Sequence, residues 1–328
     1  MARAFSSVPI VNVSGLRSRN ADVRRGAAAA LGEAARNVGF LYIEGHGIPE
    51  QALSNLQATA RRYFDQPLER KMASYIGRSV NHSGYSPEGE ETNASGVIGL
   101  KESYDVGVEI AGPPLAPMLG PNQWPQDPQF RREVGGYYQQ VAELARLLFR
   151  GFALGLGLPE DRFEGWLRSP PSQLRLIHYP YNPDAHDREG VGAHTDYECF
   201  TILSSTAPGL EVMNDEGRWI DAPPIEGCFV VNIGELLEAW TNREFVATSH
   251  RVRAVKEERY SFPFFAVCDY WTVVEPLPQF VGPDRPAVFG PLIAGDHLFA
   301  QTAATFRYLR AQLGPAGADT RFGRHAGA

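Results

Sequence analysis

The spacing of apolar residues changes along the chain at about residue 170. Before that point, apolar positions recur every three or four residues over Ala21–Val38 and Phe130–Leu156, which predicts two amphipathic helices. Gly157 and Pro159 end the second helix. Short apolar runs at Val8–Val13 and Gly39–Ile43 predict strands. Two small helices are expected between these elements, one ending at Phe64 and one over Leu68–Met72.

After residue 170, short apolar runs alternate with turn residues, which predicts closely spaced strands. The candidate strands are Leu174–Tyr179, Phe200–Ser204, Leu210–Met213, Trp219–Ile220, Phe229–Ile233, His250–Val255 and Tyr260–Val267. Asn214–Gly217 predicts a hairpin turn, and Asp296–Gln312 predicts a final helix. Strands of this length and spacing favour an all-β sandwich or barrel core. Residues 74–125 have many Gly, Ser and Pro and no clear period, as in a lid or pocket wall.

Composition narrows the class of protein. The 328 residues are 43% hydrophobic, enough for a large core, and the net charge is −7 with no block of Lys or Arg. We therefore expect neither nucleic acid nor a membrane surface as a partner. Three scattered cysteines without Cys-x-x-Cys spacing disfavour a disulfide framework or a structural zinc site, and no apolar run is long enough to span a bilayer. A cytoplasmic protein is the expectation.

The stretch Val191–Leu203 contains the first candidate chemistry. Residues at i and i+2 on a strand point to the same face, so His194 and Asp196 can converge on one ion. Such a pair is common, and a hydrogen-bonded surface pair is the alternative interpretation.

Residues farther along the chain add a third possible metal ligand and a possible carboxylate-binding pair. His250 begins another predicted strand, and two His with one carboxylate form a facial triad that suits Fe(II) and leaves positions open for a chelating acid and O₂. Arg259 and Ser261 again share a strand face, where a guanidinium and a hydroxyl can hold a carboxylate.

Taken together in this order, the motifs resemble the isopenicillin N synthase-like family of 2-oxoglutarate and Fe(II)-dependent oxygenases. The resemblance covers nearly the whole chain. The matching segments are Pro9–Asn12, Gly39–Ile43, Gly45–Ile48, His194–Asp196, Val231–Gly234, Thr241–Asn242, His250–Val252 and Arg259–Ser261.

This resemblance implies a mostly β fold, with a double-stranded β-helix (jelly-roll) barrel core, surrounding helices and a helical N-terminal region. It implies His194, Asp196 and His250 as Fe(II) ligands. It also implies that Arg259, Ser261 and Tyr179 bind the cosubstrate 2-oxoglutarate. Family members that do not use 2-oxoglutarate share the Arg-x-Ser pair, so a 2-oxoglutarate-independent oxidase stays open.

The expected organisation is one compact structural unit with four segments. Residues 1–125 form an N-terminal α/β region with the pocket-wall loops, and residues 126–170 a long scaffold helix. Residues 171–275 form the Fe(II)/2-oxoglutarate jelly-roll core, and residues 276–328 a C-terminal segment and helix.

The expected reaction is hydroxylation of an unactivated C–H bond in a small molecule, with O₂ consumed and succinate and CO₂ released. An amino acid, a heterocycle or a secondary metabolite would suit the mixed pocket candidates, which are Tyr85, Tyr104, Arg175, Phe200 and Phe264. Ordinary barrel core is the alternative role for the aromatic candidates, and Arg175 could instead pair with Glu102 or Glu198. Desaturation or ring closure, a zinc hydrolase, and a non-catalytic ligand-binding barrel remain alternative functions.

Overall fold

The chain is described by a computed structural model that covers residues 5–92, 101–183, 185, 189–254 and 256–313. Its α-helices are α1 (Ala21–Asn37), α2 (Glu50–Phe64), α3 (Leu68–Met72), α4 (Pro128–Gly155), α5 (Glu235–Trp240), α6 (Ala294–Thr305) and α7 (Arg307–Leu313). The first strands are β1 (Ile10–Asn12), β2 (Phe40–Glu44), β3 (Gly84–Ser86), β4 (Glu102–Gly107), β5 (Gln173–Tyr179), β6 (Glu189–His194) and β7 (Phe200–Ser205). The others are β8 (Leu210–Met213), β9 (Trp219–Asp221), β10 (Phe229–Ile233), β11 (His250–Arg253), β12 (Arg259–Ala266), β13 (Val273–Val274) and β14 (Leu292–Ile293).

Two sheets form the centre of the fold. The larger sheet has eight strands in the order β1-β2-β10-β7-β12-β5-β4-β3, and the smaller has the order β6-β11-β8-β9. Only the β1–β2 pair in the larger sheet is parallel. This architecture confirms the predicted mostly β core with helices around it.

Helices α1 and α4 pack against each other beside the larger sheet and bury its outer face. The two helices approach most closely at a pair of glycines, where a Cβ atom added to Gly32 would lie 2.9 Å from the carbonyl oxygen of Gly155. Phe149 and Phe152 of α4 pack edge-on against Phe200 of β7. The long amphipathic helix predicted from the sequence therefore serves as the scaffold for the sheet.

The strands β3 and β4 lie inside the segment 74–125, where the sequence predicts only irregular structure. Every residue of both strands is buried, so no apolar and polar alternation marks them. Moreover, β4 carries two buried carboxylates, Glu102 and Asp105, whose charges are balanced by Lys71 and Arg175. Because buried ion pairs place charged residues inside the fold, a pattern of hydrophobic positions does not identify these strands.

The predicted C-terminal helix is two helices, α6 and α7. Phe306 between them has an extended backbone with φ −91° and ψ 129°, and it forms a β-bridge with Glu91. The backbone N–H of Arg307 donates to the carbonyl of Glu90 at 3.0 Å. This break allows Phe306 and Arg307 to pair with the segment that precedes β4.

Candidate metal centre and cavity

His194, Asp196 and His250 form a compact group of possible metal ligands. His194 ends β6 and lies directly opposite His250, the first residue of β11. Asp196 Oδ1 lies 3.7 Å from His194 Nε2 and 3.5 Å from His250 Nε2. One ligand atom from each of the three residues falls within 4.8 Å of the others. Two imidazoles and a carboxylate at such spacing can hold one divalent cation of the Fe(II) type.

Backbone carbonyls orient both imidazoles. His194 Nδ1 donates to the carbonyl of Gly192 at 2.8 Å, and His250 Nδ1 donates to that of Thr248 at 3.2 Å. These bonds leave each Nε2 free of its proton and directed at the cluster. Burial, together with the nearby His250, lowers the pKa of His194 to about 4, so its ring is neutral at neutral pH. The neutral imidazole is the form that binds a metal.

Asp196 does not lie on a strand, in contrast to the extended geometry that the sequence suggests. β6 ends at His194, and Asp196 sits in the loop that leads to β7. The first N–H groups around α5 hold this loop: Glu235 N donates to Asp196 O at 2.9 Å, and Leu236 N donates to Glu198 O at 3.1 Å. The carboxylate is therefore placed by a clamped turn, because a helix start supplies unpaired donors at that point.

The second carboxylate oxygen of Asp196 is occupied by neighbouring donors. Asn232 Nδ2 donates to Oδ2 at 2.6 Å, and the hydroxyl of Thr201 donates to the same atom. Burial alone would raise the pKa of Asp196, but His250, His194 and the Thr201 hydrogen bond outweigh it and hold the pKa well below its usual value. The carboxylate of Asp196 thus stays ionised, and its Oδ1 faces the imidazoles. Asn232 lies on β10, within the predicted strand Phe229–Ile233, and it orients Asp196, a role that the sequence analysis does not assign to it.

A cavity of about 280 Å³ opens next to this cluster, between the two sheets. Its wall includes residues of the larger sheet, of the smaller sheet and of the C-terminal helix α6. The lining includes Glu91, Thr92, Lys101, Gln173, Arg175, Tyr179, His194, Asp196, Glu198, Thr201, Asn232, His250, Arg259, Ser261, Phe265, Thr302, Thr305 and Phe306.

Arg259 is the main cationic group at one end of the cavity. Its side chain is almost completely buried, Nε donates to the carbonyl of Ala207 at 3.1 Å, and the guanidinium lies 4.9 Å from the ring centre of Tyr179. Nη1 and Nη2 have no hydrogen-bond partner among the described residues. Ser261 follows on the same face of β12, and Tyr179 is the β5 residue opposite Arg259. A buried cation with two unpaired donor atoms fits a carboxylate ligand.

The five predicted substrate-pocket residues do not all reach the cavity. Arg175 lines it, and its Nε pairs with Asp105 Oδ1 at 2.6 Å rather than with Glu102 or Glu198. The other four residues, Tyr85, Tyr104, Phe200 and Phe264, are buried core residues outside the cavity lining as far as the described residues define it. Their neighbours along the strands, Thr201 and Phe265, face the cavity instead, because side chains alternate between the two faces of a sheet.

The four buried aromatic residues have identifiable packing partners. The hydroxyl of Tyr85 donates to Glu102 Oε2 at 2.5 Å, and the hydroxyl of Tyr104 donates to the carbonyl of Gln123. Phe264 packs edge-on against Tyr138 of α4. These contacts correspond to the barrel-core alternative considered for the aromatic candidates.

A second charged group lies in the cavity wall around Arg175, and its other members, Glu91 and Lys101, were not among the predicted site residues. Glu91 Oε2 lies 2.9 Å from Lys101 Nζ and 3.5 Å from Arg175 Nη1. Glu91 and Lys101 stand in the segment that lacks a hydrophobic period, so only their charge could have drawn attention to them. Thr302, Thr305 and Phe306 close the same part of the cavity from the C-terminal side.

Comparisons with known families agree with these features. Residues 8–127 match the family described as non-haem dioxygenase in morphine synthesis N-terminal, and residues 170–267 match the 2OG-Fe(II) oxygenase superfamily. The second match contains all three possible metal ligands together with Arg259 and Ser261.

Relatives of similar length are also found. A soybean (Glycine max) protein named homoarginine-6-hydroxylase is 33% identical over 329 residues, which cover 93% of this chain and 99% of the relative. A 2-oxoglutarate-dependent dioxygenase of Talaromyces stipitatus is 32% identical, over 92% of this chain and 98% of that protein.

Solved structures with the same fold include a full-length Neurospora crassa protein in complex with alpha-KG and thymine. That structure has a TM-score of 0.80 and 26% identity, over 90% of this chain and 96% of the other. A 2OG-Fe(II) oxygenase family protein from Caulobacter crescentus has a TM-score of 0.81 and 27% identity, over 92% and 99% of the two chains. The jelly-roll core implied by the family resemblance is thereby confirmed. In the part of the chain that the structure describes, no helix has both the length and the apolar character needed to cross a membrane.

Proposed function

This chain belongs to the 2-oxoglutarate and Fe(II)-dependent oxygenase superfamily, and we propose that His194, Asp196 and His250 hold its iron. It is a 2-oxoglutarate-dependent non-haem iron dioxygenase, with Fe(II), 2-oxoglutarate and O₂ as cofactor and cosubstrates. The ligand assignment is supported by the distances within the cluster and by the carbonyl contacts that direct each Nε2 inward.

We propose that Arg259, Ser261 and Tyr179 bind the distal carboxylate of 2-oxoglutarate. The observation that carries this proposal is the pair of buried, unpaired nitrogens on Arg259. Leaving a guanidinium buried without an anionic partner costs several kcal/mol, so the site is complete only with an anion in place. Ser261 adds a hydroxyl donor on the same side, and the ring of Tyr179 fixes the plane of the guanidinium.

The residues of this chain contribute positioning and exclusion of water. When bound, the iron would activate O₂ for attack on an unactivated C–H bond, with 2-oxoglutarate as the two-electron donor that is converted to succinate and CO₂. Asn232 and Thr201 fix one oxygen of Asp196 so that the other points at the metal position. The two sheets and α6 line the cavity, and a substrate bound in it would displace water from beside the reacting groups.

The substrate is a small molecule, as it is for relatives that are named for homoarginine hydroxylation or crystallised with thymine. The modest cavity volume supports this assignment. We propose hydroxylation as the reaction. We also propose a cytoplasmic location, which the three free cysteines support. We propose no nucleic acid or membrane partner, which the net charge of −7 supports. We also propose that the four segments form one structural unit, because β2 and β4 of the N-terminal region pair with β10 and β5 of the core.

The test is titration of 2-oxoglutarate into anaerobic, Fe(II)-loaded protein, followed by the visible metal-to-ligand charge-transfer band. We expect a saturable band in the native protein and no band in Asp196→Ala, with Arg259→Ala requiring far more 2-oxoglutarate. An exposed arginine variant, Arg132→Ala, serves as the matched control and keeps the native response. Iron binding without any band would point to an oxidase that takes its electrons from another source. Failure to bind iron would refute the assignment of the ligands.

A further inference from the structure

Three charged side chains of the cavity wall, Glu91, Lys101 and Arg175, form a balanced cluster with the fully buried Asp105. Lys101 and Arg175 are positive, and Glu91 and Asp105 are their carboxylate partners. Burial would raise the pKa of Glu91, but Lys101 and Arg175 offset this and hold it at about 2, so Glu91 is ionised at neutral pH. Two cations therefore face two carboxylates, and the formal charge of the cluster is zero.

The geometry brings the two cations together at the cavity surface. Lys101 Nζ and Arg175 Nη1 contact the same oxygen of Glu91 at 2.9 and 3.5 Å, so the two nitrogens are at most about 6.4 Å apart. Arg175 is held between two aromatic rings that also line the cavity, 5.6 Å from the centre of Phe265 and 5.3 Å from that of Phe306. The cluster is therefore a rigid polar part of the wall, and its side chains are restrained before a ligand arrives.

The cluster and the possible metal ligands line the same cavity. Glu91, Lys101 and Arg175 share its wall with His194, Asp196 and His250. A ligand held at the cluster would thus have the rest of its body beside the metal position.

We propose that Lys101, Arg175 and Glu91 bind the zwitterionic head group of a free α-amino acid, whose side chain then extends toward the metal centre. The substrate carboxylate lies against Lys101 and Arg175, and the ammonium group lies against the carboxylate of Glu91. A ligand with one positive and one negative group preserves the charge balance of the buried cluster. A purely anionic or purely cationic ligand would leave one buried charge without compensation, which is costly. This inference rests on the oxygenase function proposed above and specifies its substrate class.

The remaining lining of this part of the cavity agrees with a small polar ligand. Gln173, Thr92, Thr302 and Thr305 also line the cavity. Nε2 of Gln173 and the hydroxyls of Thr302 and Thr305 donate to backbone carbonyls, and the Thr92 hydroxyl accepts from Arg310, so these polar groups are held in place in the wall. An uncharged heterocycle such as thymine would use those groups but would leave the paired charges without any role in recognition.

The experiment is isothermal titration calorimetry with anaerobic protein loaded with Fe(II) and 2-oxoglutarate. The probes are the twenty common L-amino acids and thymine, followed by the carboxamide and the N-acetyl derivative of each amino acid that binds. We expect at least one amino acid to bind, and both blocked derivatives of it to bind at least tenfold more weakly. We also expect Lys101→Met to weaken binding at least tenfold, Lys101→Arg to weaken it less, and Lys256→Met, an exposed control, to leave it unchanged.

The affinity for 2-oxoglutarate distinguishes a failure of the head-group assignment from a failure of the proposed oxygenase function. If the native protein and the Lys101 variants bind 2-oxoglutarate but no amino acid binds, the head-group assignment is wrong and the oxygenase function stands. Thymine binding as tightly as any amino acid, or equal binding of blocked and free forms, would also overturn the assignment. If the native protein does not bind 2-oxoglutarate, both proposals fail.

Discussion

A Cβ atom added to Gly234 would lie 2.3 Å from the carbonyl oxygen of Glu198. Gly234 has an ordinary extended backbone, with φ −108° and ψ 173°, so the requirement for glycine comes from this close approach and not from its own conformation. The Glu198 loop carries Asp196, and its carbonyl oxygens accept hydrogen bonds from the start of α5. A residue outside the metal cluster therefore sets the position of a metal ligand.

The first prediction is that Gly234→Ala weakens iron binding at least tenfold. The new methyl group must displace backbone, and the displaced loop moves Asp196 away from His194 and His250. Anaerobic Fe(II) titration measures the effect. The control is Gly136→Ala, at an exposed position of α4 with nothing within 4 Å of the added atom. That change should leave iron affinity unaltered and stabilise the helix by about 0.5–1 kcal/mol. Native iron affinity in Gly234→Ala would contradict the argument.

The second prediction concerns the amide that orients Asp196. Asn232→Ala removes the 2.6 Å hydrogen bond to Oδ2 and leaves only the Thr201 hydroxyl on that oxygen. Loss of a group that orients a metal ligand typically costs 10–100-fold in metal affinity, and we expect a decrease of about that size. Fe(II) titration with a competing chelator measures it. Asn55→Ala on α2 makes the same chemical change on a distant surface and should have no effect. An Asn232 variant with unchanged affinity would show that Thr201 alone is sufficient.

The sequence was sufficient to predict the strands that carry the site and the residues that cluster there. His250 and Arg259 lie at the starts of strands with apolar runs, so their placement follows from a local pattern. β6, which ends at His194, has no such run. Asp196 was grouped with His194 and His250 because it was expected on the same strand as His194, but it lies in the loop after β6. Its position depends on a loop that α5 clamps from a distant part of the chain, and no local pattern records such a contact.

The substrate end of the cavity was not predictable in the same way. Glu91 and Lys101 belong to a segment without periodicity, and Phe306 reaches the cavity only because the helix breaks before α7. Tyr85 and Tyr104 lie on β3 and β4, for which no strand was predicted. Phe200 and Phe264 lie on predicted strands, but a shift of one residue reverses which face of a sheet a side chain occupies. Strand registers, which the sequence does not specify, decided these positions.

The third prediction separates ligand binding from stability at Arg259. Without an anion, the buried guanidinium is unpaired at Nη1 and Nη2, so Arg259→Met should leave the stability of the unliganded protein unchanged or raise it. Addition of 2-oxoglutarate at about 100 times its dissociation constant should stabilise native, Fe(II)-loaded protein by about 2.7 kcal/mol and the variant not at all. Urea unfolding under anaerobic conditions provides both values. Arg132→Met, at an exposed ion pair, should keep the full response to 2-oxoglutarate. A large loss of unliganded stability in Arg259→Met would mean that Arg259 is primarily structural.

The last prediction concerns a buried histidine beside the cavity wall. His82 packs edge-on against Phe306, and its Nδ1 lies 2.6 Å from the hydroxyl of Tyr308 on α7. Burial, with a smaller contribution from Arg175, lowers the pKa of His82 to about 3. A histidine in the unfolded chain titrates near 6.5, so between roughly pH 6.5 and 3 the unfolded state binds a proton that the folded state does not. Stability from this residue is therefore complete above pH 6.5 and decreases as the pH falls.

The change between pH 7 and pH 5 should amount to about 2 kcal/mol in the free energy of unfolding. His82→Asn removes the titrating group and tolerates the positive φ of 57° at this position. The native protein should therefore lose about 2 kcal/mol more than His82→Asn when urea unfolding is compared at the two pH values. Tyr308→Phe removes the hydroxyl partner and keeps the buried imidazole, so it should retain the native pH dependence. Parallel losses in the native protein and His82→Asn would show that the folded state accepts the proton. In that case the packing of His82 against Phe306 must open as the pH falls, and the wall of the cavity would open with it.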